Sequence, residues 1–208
     1  LNVSDLATIS VGGTEVNWGD FCILNDGTYC IIGFTKESSE FQVFTSSDHG
    51  VTWENKGVIS ITGDGTDGNE ISQPCVMSSG RIMATYWDNA VTGTVCKIAY
   101  SDDNGMTWNV VTFGSDYSST GSFFSEIDDT IMMIARMNAY PNYEAPAYIS
   151  YSNDGGNTWS KVVASSTIKM HADEGVAYVH GNTVEVMTLS RDYNGRNPGG
   201  QVGNLYHY

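Results

Sequence analysis

The residues of this chain that could do chemistry gather in a few polar stretches. Segments 136–146 and 191–201 bring together Tyr140, Tyr143 and Glu144, then Tyr193 and Arg196. Aromatic rings stack on the C–H faces of sugars, and charges beside them bond hydroxyls or carboxylates. An ordinary polar loop set has the same composition, so this pattern alone leaves both readings open. The stretch GDGTDGNE (63–70) offers oxygen ligands for Ca2+ at Asp64, Asp67 and Glu70. Its spacing is not that of an EF-hand, and Gly/Asp-rich loops are usually plain turns. The expectation is therefore no metal and no cofactor. His171 and Asp173 sit close together, but no second ligand cluster or serine-nucleophile signature accompanies them. Cys22, Cys30, Cys75 and Cys96 form no C-x-x-C pair and read as small buried hydrophobes.

The composition limits what must position these groups. The net charge is −15, with nine Lys plus Arg, and a surface this acidic repels phosphate backbones. Nucleic acid is thereby excluded as a partner. No apolar run approaches the ~20 residues a membrane-spanning helix needs. Hydrophobic residues make up 40% and charged residues 16%. Gly, Ser, Thr, Asn and Tyr are abundant, a mix that favours short strands and tight turns over helices. The sequence begins at Leu1 with no Met and no signal-like segment, which suits either a processed precursor or a piece of a larger protein.

The organising feature is an internal repeat. Ser46-Ser47-Asp48-His49-Gly50-Val51-Thr52-Trp53 recurs as Ser101-Asp102-Asp103-Asn104-Gly105-Met106-Thr107-Trp108 and as Ser152-Asn153-Asp154-Gly155-Gly156-Asn157-Thr158-Trp159. The aspartates Asp48 and Asp103 are 55 residues apart, and Asp103 and Asp154 are 51 apart. A second pattern runs in phase with the first. Turns at Asn25-Asp26-Gly27, Ser79-Gly80, Asp128-Asp129 and Gly181-Asn182 each precede an apolar strand: 29–35, 81–87, 131–136 and 184–191. The chain ends where a fourth copy of the motif would begin.

The S-x-D-x-G-x-T-W motif resembles the Asp-box, or bacterial neuraminidase repeat, family known from sialidases. The resemblance implies an all-β fold, a β-propeller of four-stranded antiparallel blades. Each box would be the turn between a blade's third and fourth strands. Asp48, Asp103 and Asp154 would bond their own turns, and Trp53, Trp108 and Trp159 would wedge between blades. The boxes are expected to be structural and not catalytic. Blades fall at about 11–62, 63–114, 115–168, and 169–208 completed by 1–10, as one domain spanning 1–208. Four repeats either close a ring by themselves or form part of a six-bladed one.

In such propellers ligands bind on the face opposite the boxes. That face would gather Lys36, Asp88, Arg136 and Arg191 from the ends of the second strands. Trp18, Tyr140, Tyr143, Tyr193 and Arg196 would add contacts. Sialidases clamp the substrate carboxylate with three arginines and use a Tyr nucleophile assisted by Glu. Glu174 and Arg191, 17 residues apart, resemble one family stretch, and Arg136 holds the matching place one blade earlier. This sequence lacks the family's first arginine segment and a motif marking the nucleophilic tyrosine. The expected function is glycan recognition, as a carbohydrate-binding or receptor-binding module. An exo-sialidase or related glycoside hydrolase ranks second, and a structural or protein-binding propeller third. The implied partner is a glycan or sialoglycoconjugate, at the cell exterior or on a virion surface. A homo-oligomer or a larger parent protein would supply any missing part.

Overall fold

The computed structural model describes residues 10–11, 14–35, 38–59, 70–88, 95–114, 123–135, 146–160, 163–169, 175–180, 183–191 and 201–207. The described residues form four antiparallel sheets in chain order. The first contains β1 (Ser10–Val11), β2 (Thr14–Ile23), β3 (Tyr29–Thr35), β4 (Ser38–Ser46) and β5 (Glu54–Val58), side by side. The second contains β6 (Glu70–Ile71), β7 (Cys75–Val76), β8 (Ile82–Asp88), β9 (Val95–Ser101) and β10 (Asn109–Gly114). The third runs β11 (Phe123–Ile127), β12 (Thr130–Ala135), β13 (Pro146–Ser152) and β14 (Val163–Lys169). The fourth has β15 (Gly175–His180), β16 (Thr183–Arg191) and β17 (Gln201–His207). The four predicted apolar strands correspond to β3, β8, β12 and β16.

The strand number departs from a uniform four. In the second sheet the first strand is broken into β6 and β7, both paired with β8. Pro74 lies in the break and has no N–H to donate to a ladder. Ser72 bridges the gap instead. Its N–H donates to the Thr85 carbonyl at 2.9 Å, and its hydroxyl accepts from the Thr85 N–H at 2.9 Å. In the first sheet β1 is a two-residue return onto β2, with Ser10 opposite Glu15. Residues 1–9 lie outside the described set, and with them the expected completing strand of the last repeat.

Turn chemistry explains the first hairpins. Between β2 and β3, Leu24 N–H donates to the Thr28 carbonyl at 2.8 Å, Gly27 N–H donates to the Leu24 carbonyl at 2.9 Å, and Gly27 takes φ +86°. Between β7 and β8, Met77, Gly80 and Arg81 repeat this geometry, with Gly80 at φ +89°. The third hairpin is tighter. Asp128 and Asp129 both adopt positive φ, 45° and 65°, as a two-residue primed turn requires.

Each motif copy folds into the same self-bonded turn. Asp48 Oδ1 accepts from Ser46 Oγ at 2.7 Å and from Thr52 N–H at 2.8 Å, and its Oδ2 accepts from Thr52 Oγ1 at 2.6 Å. Ser46 Oγ accepts from Gly50 N–H at 2.8 Å, and Trp53 Nε1 donates to the Gly50 carbonyl at 3.1 Å. Asp103 and Asp154 repeat the pattern with Thr107 and Thr158. The three aspartates therefore occupy equivalent points of three successive sheets.

The core lies between sheets. One cluster joins Cys22, Leu24, Cys30, Ile32, Phe41 and Val43 of the first sheet to Ile82 and Ala84 of the second, with Trp108 packed against it. The next joins Met77, Met83 and Ile98 of the second sheet to Phe124, Ile131 and Met133 of the third, with Trp159 against it. Full burial of one such side chain stabilises by about 1.5–3 kcal/mol, so these seams outweigh the turns. The first strands also meet in series: β2 touches β7, β7 touches β11, and β11 touches β15. Cys22 and Cys30 face each other across β2 and β3, both buried as free thiols. The hydrogen bond to Cys30 and burial push the Cys22 thiol upward, so it stays protonated. This fits the small-hydrophobe expectation for both.

Candidate functional site

The two ends of the sheets differ chemically. At one end stand the first-hairpin turns and the three box turns, tied to one another. Asn25 Nδ2 donates to the carbonyls of Met77 and Ser78, each at 3.3 Å, linking the first two sheets. Ser78 N–H donates to Glu126 Oε2 at 2.6 Å, linking the second to the third.

Arg81 makes the densest connection at this end, and sequence reasoning missed it. Its Nε donates to Asp102 Oδ1 at 2.6 Å, and Nη2 to Asp102 Oδ2 at 2.8 Å. Nη1 donates to the Gly155 carbonyl and to Asn157 Oδ1, the latter at 3.1 Å. The guanidinium lies 4.2 Å over the Tyr100 ring centroid. Asp102 raises the arginine's pKa further, so the charge is permanent. The signal in sequence is slight: an arginine closing one hairpin and an Asp at the second position of the following box.

The box carboxylates have no spare chemistry. The Thr52 and Ser46 bonds hold Asp48 at a pKa of about 2, and the Thr158 and Ser152 bonds hold Asp154 at about 2. Burial opposes ionisation of Asp103, yet bonds from Thr107 and Ser101 keep it below the usual range. A general acid or base works best with a pKa near the operating pH, so none of the three suits proton transfer at neutral pH. The structural expectation for Asp48, Asp103, Asp154 and their tryptophans agrees with this geometry.

Of the predicted site, the described residues are Trp18, Asp88 and Arg191, and of the calcium candidate, Glu70. Trp18 lies on β2 opposite Phe34 of β3, and Glu70 on β6 opposite Trp87 of β8. Asp88 closes β8 opposite Val95, and Arg191 closes β16 opposite Gln201. Lys36 and Arg136 follow directly on the ends of β3 and β12 in sequence. Four second strands thus run toward one end with Lys36, Asp88, Arg136 and Arg191 at or just beyond their last residues. Lys36, Arg136, Tyr140, Tyr143, Glu174, Tyr193 and Arg196 lie outside the described residues, as do Asp64 and Asp67 of the calcium candidate. Among the described residues, no three His, Cys, Asp or Glu side chains are grouped to hold a metal ion. No described helix is long and apolar enough to cross a membrane.

Comparison with known proteins places this arrangement. The model of the BNR repeat-like domain matches residues 28–197. A sialidase of Clostridium perfringens is 28% identical over 150 residues, covering 64% of this chain and 38% of that protein. A sialidase of Paraclostridium sordellii is 31% identical over 131 residues, covering 57% of this chain and 31% of its own length. The chain thus spans about a third of the length of these curated relatives. Among solved structures, a Penicillium chrysogenum α-L-arabinanase complexed with arabinobiose matches with a TM-score of 0.67 at 16% identity. That match covers 97% of this chain and 65% of the arabinanase, and it shows a shared fold. With the repeat-bearing turns, the serial antiparallel sheets and a family match over most of its length, the chain belongs to the BNR repeat-like domain family.

Proposed function

We propose that this chain recognises glycans at the end of its sheets opposite the box turns. The observation that carries this reading is where the second strands end: β8 at Asp88 and β16 at Arg191, and β3 and β12 one residue before Lys36 and Arg136 in sequence. In a chain of net charge −15, a shared end for three of nine cations is the best place to meet an acidic sugar. Trp18 and the loop residues Tyr140, Tyr143, Tyr193 and Arg196 supply stacking faces and a further charge. A glycan array probed with the purified chain tests this. Binding to sialylated or other acidic glycans, lost in Arg191→Ala, is the expected result. No binding across diverse glycans by a well-folded chain would favour the protein-binding scaffold.

A second reading is hydrolysis, favoured by the spacing of Glu174 and Arg191 and by curated relatives that are sialidases. Here Arg191 and Arg136 would bind the substrate carboxylate, and Glu174 would assist a tyrosine nucleophile. Turnover of a fluorogenic sialoside, lost in both Glu174→Ala and Arg191→Ala, would support it. Turnover that survives both changes would remove these residues from the mechanism.

The architecture proposed for either reading is a propeller. Its repeats are 11–62, 63–114, 115–168, and 169–208 with 1–10, and the first sheet's outer face packs on another such sheet. Phe124 of the third sheet is 3% exposed against the second sheet, whereas its counterpart Phe21 is 42% exposed and Ile23 is 52% exposed. A ring that seats a sheet there, either the fourth or one from a longer chain, would bury both. The place of action proposed is the cell exterior or a virion surface.

A further inference from the structure

The rim seam between the first and second sheets holds an open groove at the position where the next seam holds Arg81. The groove has a volume of about 460 Å3 and is lined by residues that include Thr28, Thr45, Ser47, Asn104 and Met106. These five are the repeat counterparts of Arg81 and its contacts. Thr28 closes the first hairpin as Arg81 closes the second, each accepted by the same turn geometry. Ser47 stands for Asp102, Thr45 for Tyr100, Asn104 for Gly155 and Met106 for Asn157. One seam is filled by a guanidinium from within, and the other is left open by the shorter Thr28.

The open seam keeps the charge for such a group. Asp102, which holds Arg81, is replaced by Ser47 in the open seam, but Asp26 and Glu54 stand there in place of Ser79 and Asn109. Asp103 completes three carboxylates around the groove, against one cation, Lys56, already paired with Glu54 at 2.7 Å. Trp53 and Met106 supply apolar wall for an alkyl stem. The volume falls within the ~300–1,000 Å3 usual for ligand pockets.

We propose that this groove is a docking site for an arginine side chain of a partner polypeptide. The guanidinium would enter where Arg81 sits in the neighbouring seam, donating to the Asn104 carbonyl and Ser47, with Asp26 on the groove wall supplying the opposite charge. It is separate from the glycan end and does not depend on that reading.

The test uses N-acetyl-arginine amide as probe, with N-acetyl-citrulline amide as the neutral isostere, followed by amide and indole NMR shifts. The expected result is saturable shifts at the Trp53 indole N–H and the Thr28 and Met106 amides with the arginine probe alone. Asp26→Asn should weaken binding roughly two- to five-fold, as for a surface ion pair. Thr28→Arg should fill the groove from within and abolish the shifts, while a thermal melt reports whether that variant is folded. Added salt should weaken wild-type binding, which tests the charge without any variant. Equal shifts with citrulline, insensitivity to salt, or undiminished binding by folded Thr28→Arg would each overturn the proposal.

Discussion

Replacing the box glycines with alanine tests how the repeats stack. Gly50, Gly105 and Gly156 share a positive φ, +89°, +86° and +89°, so each alanine meets the same backbone penalty of about 1–2 kcal/mol. They differ in what an added methyl would touch. At Gly50 the nearest atoms are Trp53 Cζ2 at 3.7 Å and Tyr29 Cδ2 at 3.9 Å, ordinary contacts within its own repeat. At Gly105 the methyl would meet Val43 Cγ1 of the preceding sheet at 3.0 Å. Val43 is 1% exposed and β-branched, so it yields little. At Gly156 it would meet Met83 Cε at 2.6 Å and Sδ at 3.2 Å, also on the preceding sheet. The flexible thioether can move aside, but Met83 is fully buried and must displace a neighbour. Overpacking of this kind costs about 1–3 kcal/mol beyond the backbone term. Urea denaturation should therefore rank Gly105→Ala as most destabilising, Gly156→Ala next and Gly50→Ala least. The first and last should differ by at least about 1 kcal/mol, roughly 2–4 °C in melting temperature for a chain of this size. Equal costs at Gly50 and Gly105 would refute the inference that boxes two and three press on a preceding sheet while box one, among the described residues, meets only its own repeat.

Three further outcomes follow from the same contacts. Because the box carboxylates titrate lower in the folded state, near 2 for Asp48 and Asp154, their contribution is full above about pH 4 and is lost as pH falls toward 2. Melting temperature against pH should drop through that window, and Asp48→Asn with Asp154→Asn should flatten the drop. Arg81→Ala removes the pair to Asp102, which is 55% exposed, along with the bonds to the third sheet. Urea denaturation should show a loss of about 1–2 kcal/mol after discounting for solvent, and Arg81→Lys should recover only part of it because the forked geometry is gone. Phe21→Ser with Ile23→Ser should cost this chain about 1 kcal/mol per site, since both side chains are about half exposed and Phe21 meets Tyr29 edge-on. A larger loss in denaturation would mean that the first sheet's outer face is already covered in solution.

What the sequence made legible is what the chain settles locally. A box is five fixed residues whose bonds span at most four positions, Asp48 to Thr52 for example, so its spacing alone identified the turn and the phase of the first three sheets. The first hairpins were legible for the same reason, since Gly27, Gly80 and the Asp128-Asp129 pair announce the positive φ they adopt. The break at Pro74 was not anticipated, because its repair depends on Ser72 meeting Thr85 across the sheet. Arg81 escaped notice for a stronger version of that reason. Its partners Asp102, Gly155 and Asn157 lie 21 to 76 residues away and belong to two different boxes. The proposed glycan end is still more distributed, since its candidate residues come from the sequence around strand ends in four sheets.

This difference in range explains why the repeats resemble one another and yet carry different surfaces. The positions whose bonds recur in every turn are the ones the three copies share: Ser, Asp, Gly, Thr and Trp; Asn157 adds a bond to the Asp154 carbonyl in the third alone. The positions between them vary: Ser47, Asp102 and Asn153, or Val51, Met106 and Asn157. Those intervening side chains leave the turn free to form, so they can face the neighbouring sheet in whatever way the seam requires. At one seam they receive Arg81; at the other they leave a groove under Thr28. A single exchange at that hairpin residue should therefore convert an open seam into a closed one without disturbing the box. If Thr28→Arg lowered stability as much as a box aspartate substitution does, seam and turn would not be separable in this way.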